Sequence, residues 1–480
     1  MCANLIAGCH LRQYLADTGW PREITTYMLK LNHDSLIRIA ATLLLVLVWA
    51  RSGAQDNEAS ESAEPRTTGL PGEEYWTFHL DAGYGAFGFD NSLYTNKKPD
   101  SPGNLSDNWQ EGYIKPAISL DYPLGAGAII SKLSVVGERT FSAPPPLIGG
   151  EAESYGPEDA YIGWRSGDAL GLGKDALEIT VGRIPYKIGH GFLLWDGAGD
   201  GGSRGGFWSG ARKDWKLGAL AKLQTDHNVL ETFFLERDDL PESQTHTKLS
   251  GANYELHLGS KEAETIFGLT YIKTTSSVAD RDGMSVYDGR LFSTLPFLPN
   301  LSFEAEVAHE ENGDLMASDG WTAQLGYKFS RLPGSPQLSY RYTFFKGDSP
   351  GTHKNEAFDP LFPGFYDWGT WWQGEIAGEY FLSNSNLESQ QIRLHFAPSD
   401  SFDGGLIGYA FRNDQPATFG PNVTSHDIAA EVDGYVDWKI NHNFTASFVL
   451  AYADPRAALE QGFQRTQKLT YGMAYLAYSF

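Results

Sequence analysis

Residues 428–452 read IAAEVDGYVDWKINHNFTASFVLAY. Ile428, Ala430, Val432, Gly434, Val436 and Trp438 share one face of an extended chain, and Glu431, Asp433, Asp437 and Lys439 share the other. Past residue 443 a second such face follows, made by Phe444, Ala446, Phe448, Leu450 and Tyr452. Side chains of a strand alternate between its two faces, so this stretch reads as strands with one apolar and one charged side.

The same period recurs along the chain. Trp76, Phe78, Leu80, Ala82 and Tyr84 begin it, and Trp215–Leu223, Leu301–Val307, Trp321–Phe329, Leu338–Phe344 and Ile392–Phe396 continue it. Trp372, Gly374, Ile376, Gly378 and Tyr380 alternate with Gln373, Glu375 and Glu379 and read as another strand. The segments run about nine to eleven residues, carry charges on the polar face and have aromatics at their ends, which fits strands crossing a bilayer around a wet lumen. Hydrocarbon tolerates no open sheet edge, so the sheet must close. The chain ends MAYLAYSF, with Ala474, Leu476, Tyr478 and Phe480 on one face. The predicted fold is an all-β transmembrane antiparallel barrel. At roughly 23 to 25 residues per strand with its loop, the length gives about 16 to 18 strands.

Composition agrees. The 480 residues include 53 glycines and 13% aromatics, with 37 basic against 60 acidic side chains, a net charge of −23. That balance argues against nucleic acid as a partner, because such binding rests on neutralised phosphates. The two cysteines, Cys2 and Cys9, stand in a segment expected to be removed, so no disulfide scaffold is expected. Residues 1–54 read as an N-terminal extension plus signal peptide: Lys30 and Arg38 precede the apolar run IAATLLLVLVW, and Ser52-Gly53-Ala54 offers a cleavage site. Met28 is a better start than Met1. Residues 55–72 are a flexible polar lead-in, and residues 73–480 form the barrel.

Three segments break the alternation: 139–160, 189–213 and 346–371. They are too long for periplasmic turns and are assigned to extracellular loops or in-folded constrictions. The glycine-rich one lacks the lysine-serine ending of a phosphate-binding loop.

The segment Asn355–Phe362 (NEAFDPLF), followed by Trp368-Gly369-Thr370-Trp371, resembles the alginate export family of Gram-negative outer-membrane barrels. So do Thr180–Arg183 with Lys187 and Gly189-His190-Gly191, the run Gly378–Asn386, and the terminal Phe480. The resemblance extends over residues 73–480. It implies an 18-stranded monomeric channel that passively exports an anionic, alginate-like polyuronate past a basic constriction gated by loops. The alternative is a porin for small solutes such as acidic sugars.

A polyanion needs repeated fixed cations along its path, and guanidinium suits carboxylate because its fork bonds in pairs. Parity turns Arg341, Arg393, Arg412, Lys216 and Lys328 inward. Arg412 is placed there because Ile407, Tyr409 and Phe411 are read as outward. Arg183 shares its parity with Ile179 and Val181, read as outward, so it reaches the lumen only through a bulge or where the strand ends near Gly182. Lys187 and Arg139 complete the candidate lining. Asp196, Arg204, Phe358, Asp359 and Trp368 are the candidate loop or gate residues. Glu255, Glu304, Glu306, Glu375, Glu379, Glu431, Asp433 and Asp437 are also read as inward, where they oppose or pair with the cations. The ten histidines beyond residue 54 are scattered and no nucleophile elbow is present. No enzyme activity, cofactor or metal site is expected. Expected partners are the anionic polysaccharide, outer-membrane lipid and lipopolysaccharide, and periplasmic export components.

Overall fold

The computed structural model describes residues 75–92, 107–145, 149–260, 263–295, 298–364, 373–420, 422–464 and 467–480. The expected signal peptide, the lead-in, both cysteines and Trp368 lie outside them. The described chain forms eighteen antiparallel strands in one closed sheet. The first half comprises β1 (Trp76–Asp90), β2 (Asp107–Leu124), β3 (Gly127–Ala143), β4 (Ala152–Arg165), β5 (Leu177–Ile184), β6 (Trp215–Gln224), β7 (Asn228–Glu236), β8 (Lys248–Ser260) and β9 (Ala263–Thr275). The second comprises β10 (Ser285–Thr294), β11 (Leu301–Asn312), β12 (Met316–Lys328), β13 (Gln337–Phe345), β14 (Leu387–Ser399), β15 (Phe402–Arg412), β16 (Asp427–Lys439), β17 (Phe444–Pro455) and β18 (Leu469–Ser479).

Each strand pairs with its sequence neighbours, and β1 also pairs with β18, from Asp81 opposite Ser479 to Asp90 opposite Thr470. Leu80 and Phe480 exchange two backbone hydrogen bonds of 3.1 Å at this seam. Closure leaves no ladder edge for lipid. The seam's Leu80 end is the end with short connections, such as residues 125–126 and 400–401, which marks it as periplasmic. Gly125 takes φ +62° in the two-residue turn between β2 and β3, a conformation an L side chain rarely adopts.

The alternation places residues as read on most strands. Phe78, Leu269, Val307, Leu325, Ile392 and Val432 are exposed on the outer surface, while Glu431 and Asp433 are buried inside. Two readings are corrected. Residues 374–378 are a π-helical turn inside the barrel, followed by a tight bend rather than a strand. Ile407, Tyr409 and Phe411 are 2%, 5% and 1% exposed and face inward, while Leu406 faces outward. The cause is shared. The parity rule assumes a wet lumen, but loops fold into the extracellular half and make its inner wall apolar as well. One apolar cluster joins wall residues such as Phe87, Phe233, Val286, Phe345, Tyr409 and Tyr471 to loop residues Ile188, Phe192, Leu194, Phe358, Phe362, Ile376 and Tyr380. Helix α1 (Ala457–Phe463) buries Ala458 and Leu459 in the same cluster. The segment read as a loop over residues 139–160 is mostly the ends of β3 and β4.

Candidate functional site

Two long connections set the interior: residues 185–214 between β5 and β6, and residues 346–386 between β13 and β14. They bind each other as a short parallel pairing. Phe362 N donates to Leu193 O at 3.0 Å, Trp195 N to Phe362 O at 2.9 Å and Gly364 N to Gly191 O at 3.1 Å. Phe358 packs between Phe345 and Phe192, with ring centroids 5.2 and 6.3 Å away. Trp215 meets Phe362 edge-on at 5.6 Å.

Cations are gathered around this junction. The guanidiniums of Arg237 and Arg281 lie 4.1 and 5.1 Å from the Phe362 ring centroid. Arg281 also forks onto Asp359 at 2.7 and 2.5 Å, the bidentate geometry that suits carboxylates. Lys187 and Lys213 lie 4.7 and 5.3 Å from the Trp195 ring. Burial, and then Lys213, lowers the Lys187 amine below its ordinary value. Burial raises the Asp196 carboxyl to about 6, against the pull of Arg237 and Lys213. Asp214, at the end of the same connection, rises to about 9 through burial and then the charges of Asp159 and Glu158.

The second connection is anchored to the opposite wall. Glu431 of β16 accepts Ile376 N and Ala377 N, both at 2.8 Å, and Asp433 accepts Glu375 N at 3.1 Å. Gly374 holds φ +91°, and a Cβ there would lie 2.5 Å from the Glu431 carboxylate. Burial, and then Asp433, raises the Glu375 carboxyl to about 8.

The candidate lining residues separate into two groups. Arg183 is buried inside the barrel. The β5–β6 register shifts between Gly182 and Ile184, and Gly182 takes φ +131°. This bulge turns Arg183 inward although Ile179 and Val181 face out. Arg183 bonds Asp238 at 2.6 Å and Glu158 at 3.4 Å, and Arg204 bonds the other oxygen of Asp238 at 2.9 Å. Arg341 and Arg393 also point inward. Arg341 stands opposite Gln391 and Arg393 opposite Ser339, so the two are diagonal neighbours. Arg341 donates to Gln324 at 3.1 Å, and Arg393 to the Tyr435 hydroxyl.

Three candidates are not on the inner wall. Arg412 shares the outer face with Leu406 and pairs at the rim with Glu388 (3.3 Å) and Asp427 (3.2 Å). Its assignment failed because the apolar face of β15 is the inner one. Arg139 shares the outer face of β3 with Leu133 and Val135 and pairs with Glu153 at 2.9 Å. The same bulge turns Trp215 inward, so that Lys216 beside it faces out and pairs with Glu236 at 2.8 Å. Lys328 keeps the inward parity of Thr322 and Gln324 and is exposed at the periplasmic end of β12.

Sequence reasoning missed Arg237, Arg281 and Arg290. Arg290 is fully buried on β10, bonded to Asp288 at 2.7 Å and Glu255 at 2.8 Å. Its signal was available: Val286, Asp288 and Arg290 alternate with outward Tyr287 and Leu291. Arg237 and Arg281 sit beyond strand ends, where alternation carries no information.

A closed eighteen-strand barrel with an apolar outside, a charged inside and in-folded loops is an outer-membrane channel. The profile of the alginate export family matches residues 159–459, and the chain belongs to that family. No curated protein sequence matches it. Solved structures show the same fold. Pseudomonas aeruginosa OccK5 (OpdH) is 10% identical, with a TM-score of 0.54 over 85% of this chain and 98% of its own. Acinetobacter baumannii OccAB2 is 10% identical, with a TM-score of 0.53 over 84% and 98%. Pseudomonas aeruginosa OpdQ is 11% identical, with a TM-score of 0.52 over 84% and 97%.

Proposed function

We propose that the channel passively exports an anionic, alginate-like polyuronate from periplasm to exterior. The observation that carries this reading is the placement of guanidiniums inside the barrel. Arg237 and Arg281 stand around the in-folded loops, and Arg341 and Arg393 are adjacent on the wall of β13 and β14. Carboxylates of a polymer meet these groups in series, each contact reversible in a wet pore. The family membership supports the same reading.

A second reading is a porin for small acidic solutes. The apolar packing of Phe192, Phe345 and Phe358 favours it, because it fills part of the interior with side chains that bond no carboxylate. Interior carboxylates such as Glu255, Glu304 and Glu306 also weigh on selectivity.

Planar-bilayer conductance of the refolded barrel, with Arg341→Glu and Arg393→Glu made singly, separates the two. Anion preference and block by oligouronate, both reduced in the variants, support polyuronate export. A pore indifferent to oligouronate but permeable to monomeric uronates leaves the porin reading.

A further inference from the structure

β5 is the shortest strand in the wall, at eight residues. Its last pairing with β4 toward the extracellular side is Ala160 with Arg183, and β4 continues upward to Ala152 without a strand partner on that side among the described residues. Eight residues climb roughly 26 Å along a strand, or about 20 Å along the membrane normal at a tilt of about 40°. The apolar band of such barrels is about 25 Å tall. The wall at β5 therefore stops near the upper edge of the hydrocarbon, beside longer neighbours: β4 has fourteen residues and β6 ten.

The gap is a recess of about 740 Å³, within the roughly 300–1,000 Å³ range usual for ligand sites. Its lining crosses the wall. Tyr155, 77% exposed, and Leu217, 44% exposed, belong to the outer surface. Arg183, Arg204 and Arg212 form the inner part, and Lys216 and Asp238 complete the charged lining. Of these five charged groups, four are cationic. Carboxylates fix all four. Glu138 takes Arg212 Nε at 2.5 Å, Glu158 and Asp238 take Arg183, Asp238 also takes Arg204 at 2.9 Å, and Glu236 takes Lys216. The Nε–H of Arg183 is buried and has no hydrogen-bond partner among the described residues.

We propose that this recess binds the phosphorylated headgroup of an outer-leaflet glycolipid. The occupant follows from position and charge. A group entering from the side at this depth is part of the lipid, and arginine forks with a lysine beside them recognise phosphate oxygens. Tyr155 and Leu217 meet the glycolipid's sugar and first acyl methylenes, as aromatic side chains do at a membrane interface. The site is separate from Arg341 and Arg393, so the proposal stands whichever solute the channel carries.

The test is native mass spectrometry of the detergent-folded barrel with bis-phosphorylated lipid A, its dephosphorylated form, inorganic phosphate and oligouronate. The variants are Lys216→Ala with Tyr155→Ala, both at exposed positions, and Arg204→Ala. Heat-modifiable gel migration confirms that each is folded. The expected result is one retained lipid A per chain, with at least a tenfold loss on dephosphorylation and a similar loss in the exposed double variant. Millimolar oligouronate is expected not to displace it. Equal retention with and without phosphate, or in the folded double variant, would overturn the proposal. So would displacement by oligouronate, which would assign the recess to the transport path.

Discussion

Replacing Glu431 by Ala should release the second in-folded connection from the wall. The Glu431 carboxylate accepts two backbone amides, Ile376 N and Ala377 N, at 2.8 Å each. A hydrogen bond to a charged group contributes about 1.5–3 kcal/mol, so two are worth about 3–6 kcal/mol while the amides stay dry. Undocking lets water reach them, which leaves a loss of about 2–4 kcal/mol in docking preference, or roughly 30- to 700-fold in the equilibrium. The wall itself should survive, because Glu431 joins β15 and β17 through backbone pairing with Tyr409 and Ala453. Hydrogen exchange of the folded barrel should show lost protection over residues 374–380, and bilayer recordings should show more frequent or larger openings. Glu431→Gln, which keeps one acceptor oxygen, should fall between. Unchanged protection over 374–380 together with unchanged conductance would refute the anchoring role.

Channel opening should increase as pH rises from about 4.5 to 8. Glu375 is held near 8 instead of its ordinary 4.5 by burial and then by Asp433. Across that window the docked form keeps a proton that a wetted, undocked loop releases, so higher pH favours undocking by up to about tenfold per unit. Glu379, on the same connection, is also raised by burial and then by Glu375, so Glu375→Gln should flatten the pH profile of conductance without abolishing it. Gly182→Ala should weaken the barrel. Its φ is +131°, and the added Cβ would meet Ala160 O at 2.3 Å. The strain is about 1–3 kcal/mol, visible as a lower midpoint of thermal unfolding; an unchanged midpoint would show that the bulge relaxes freely.

Alternation was enough to reveal the barrel, because lipid imposes an apolar outer face on nearly every strand. β16 shows this plainly: Val432 and Val436 face out, and Glu431 and Asp433 face in. The candidate site was less legible, for reasons that trace to particular residues. Arg183 needed the bulge at Gly182, which leaves no trace in a period-two count. Tyr409 and Phe411 looked lipid-facing because the loops packed on them are hundreds or dozens of residues away in sequence. Gly374, Ile376 and Gly378 mimicked a strand because a buried turn also needs small and apolar groups close together. Arg412 and Arg139 were assigned to the lumen, and rim ion pairs with Glu388 and Glu153 explain their outward placement instead.

The pairing of Asp81 with Ser479 carries a demand on how the molecule comes into being. The two strands that seal the cylinder are separated by almost the whole described chain. Until β18 arrives, β1 has one open edge and the outer faces of every other strand have no bilayer to meet. Contacts so distant in sequence form slowly, and unpaired apolar strands are prone to aggregate while they wait. The chain must therefore cross the periplasm unfolded and shielded, and assembly must end in a single late step at the membrane that closes the seam.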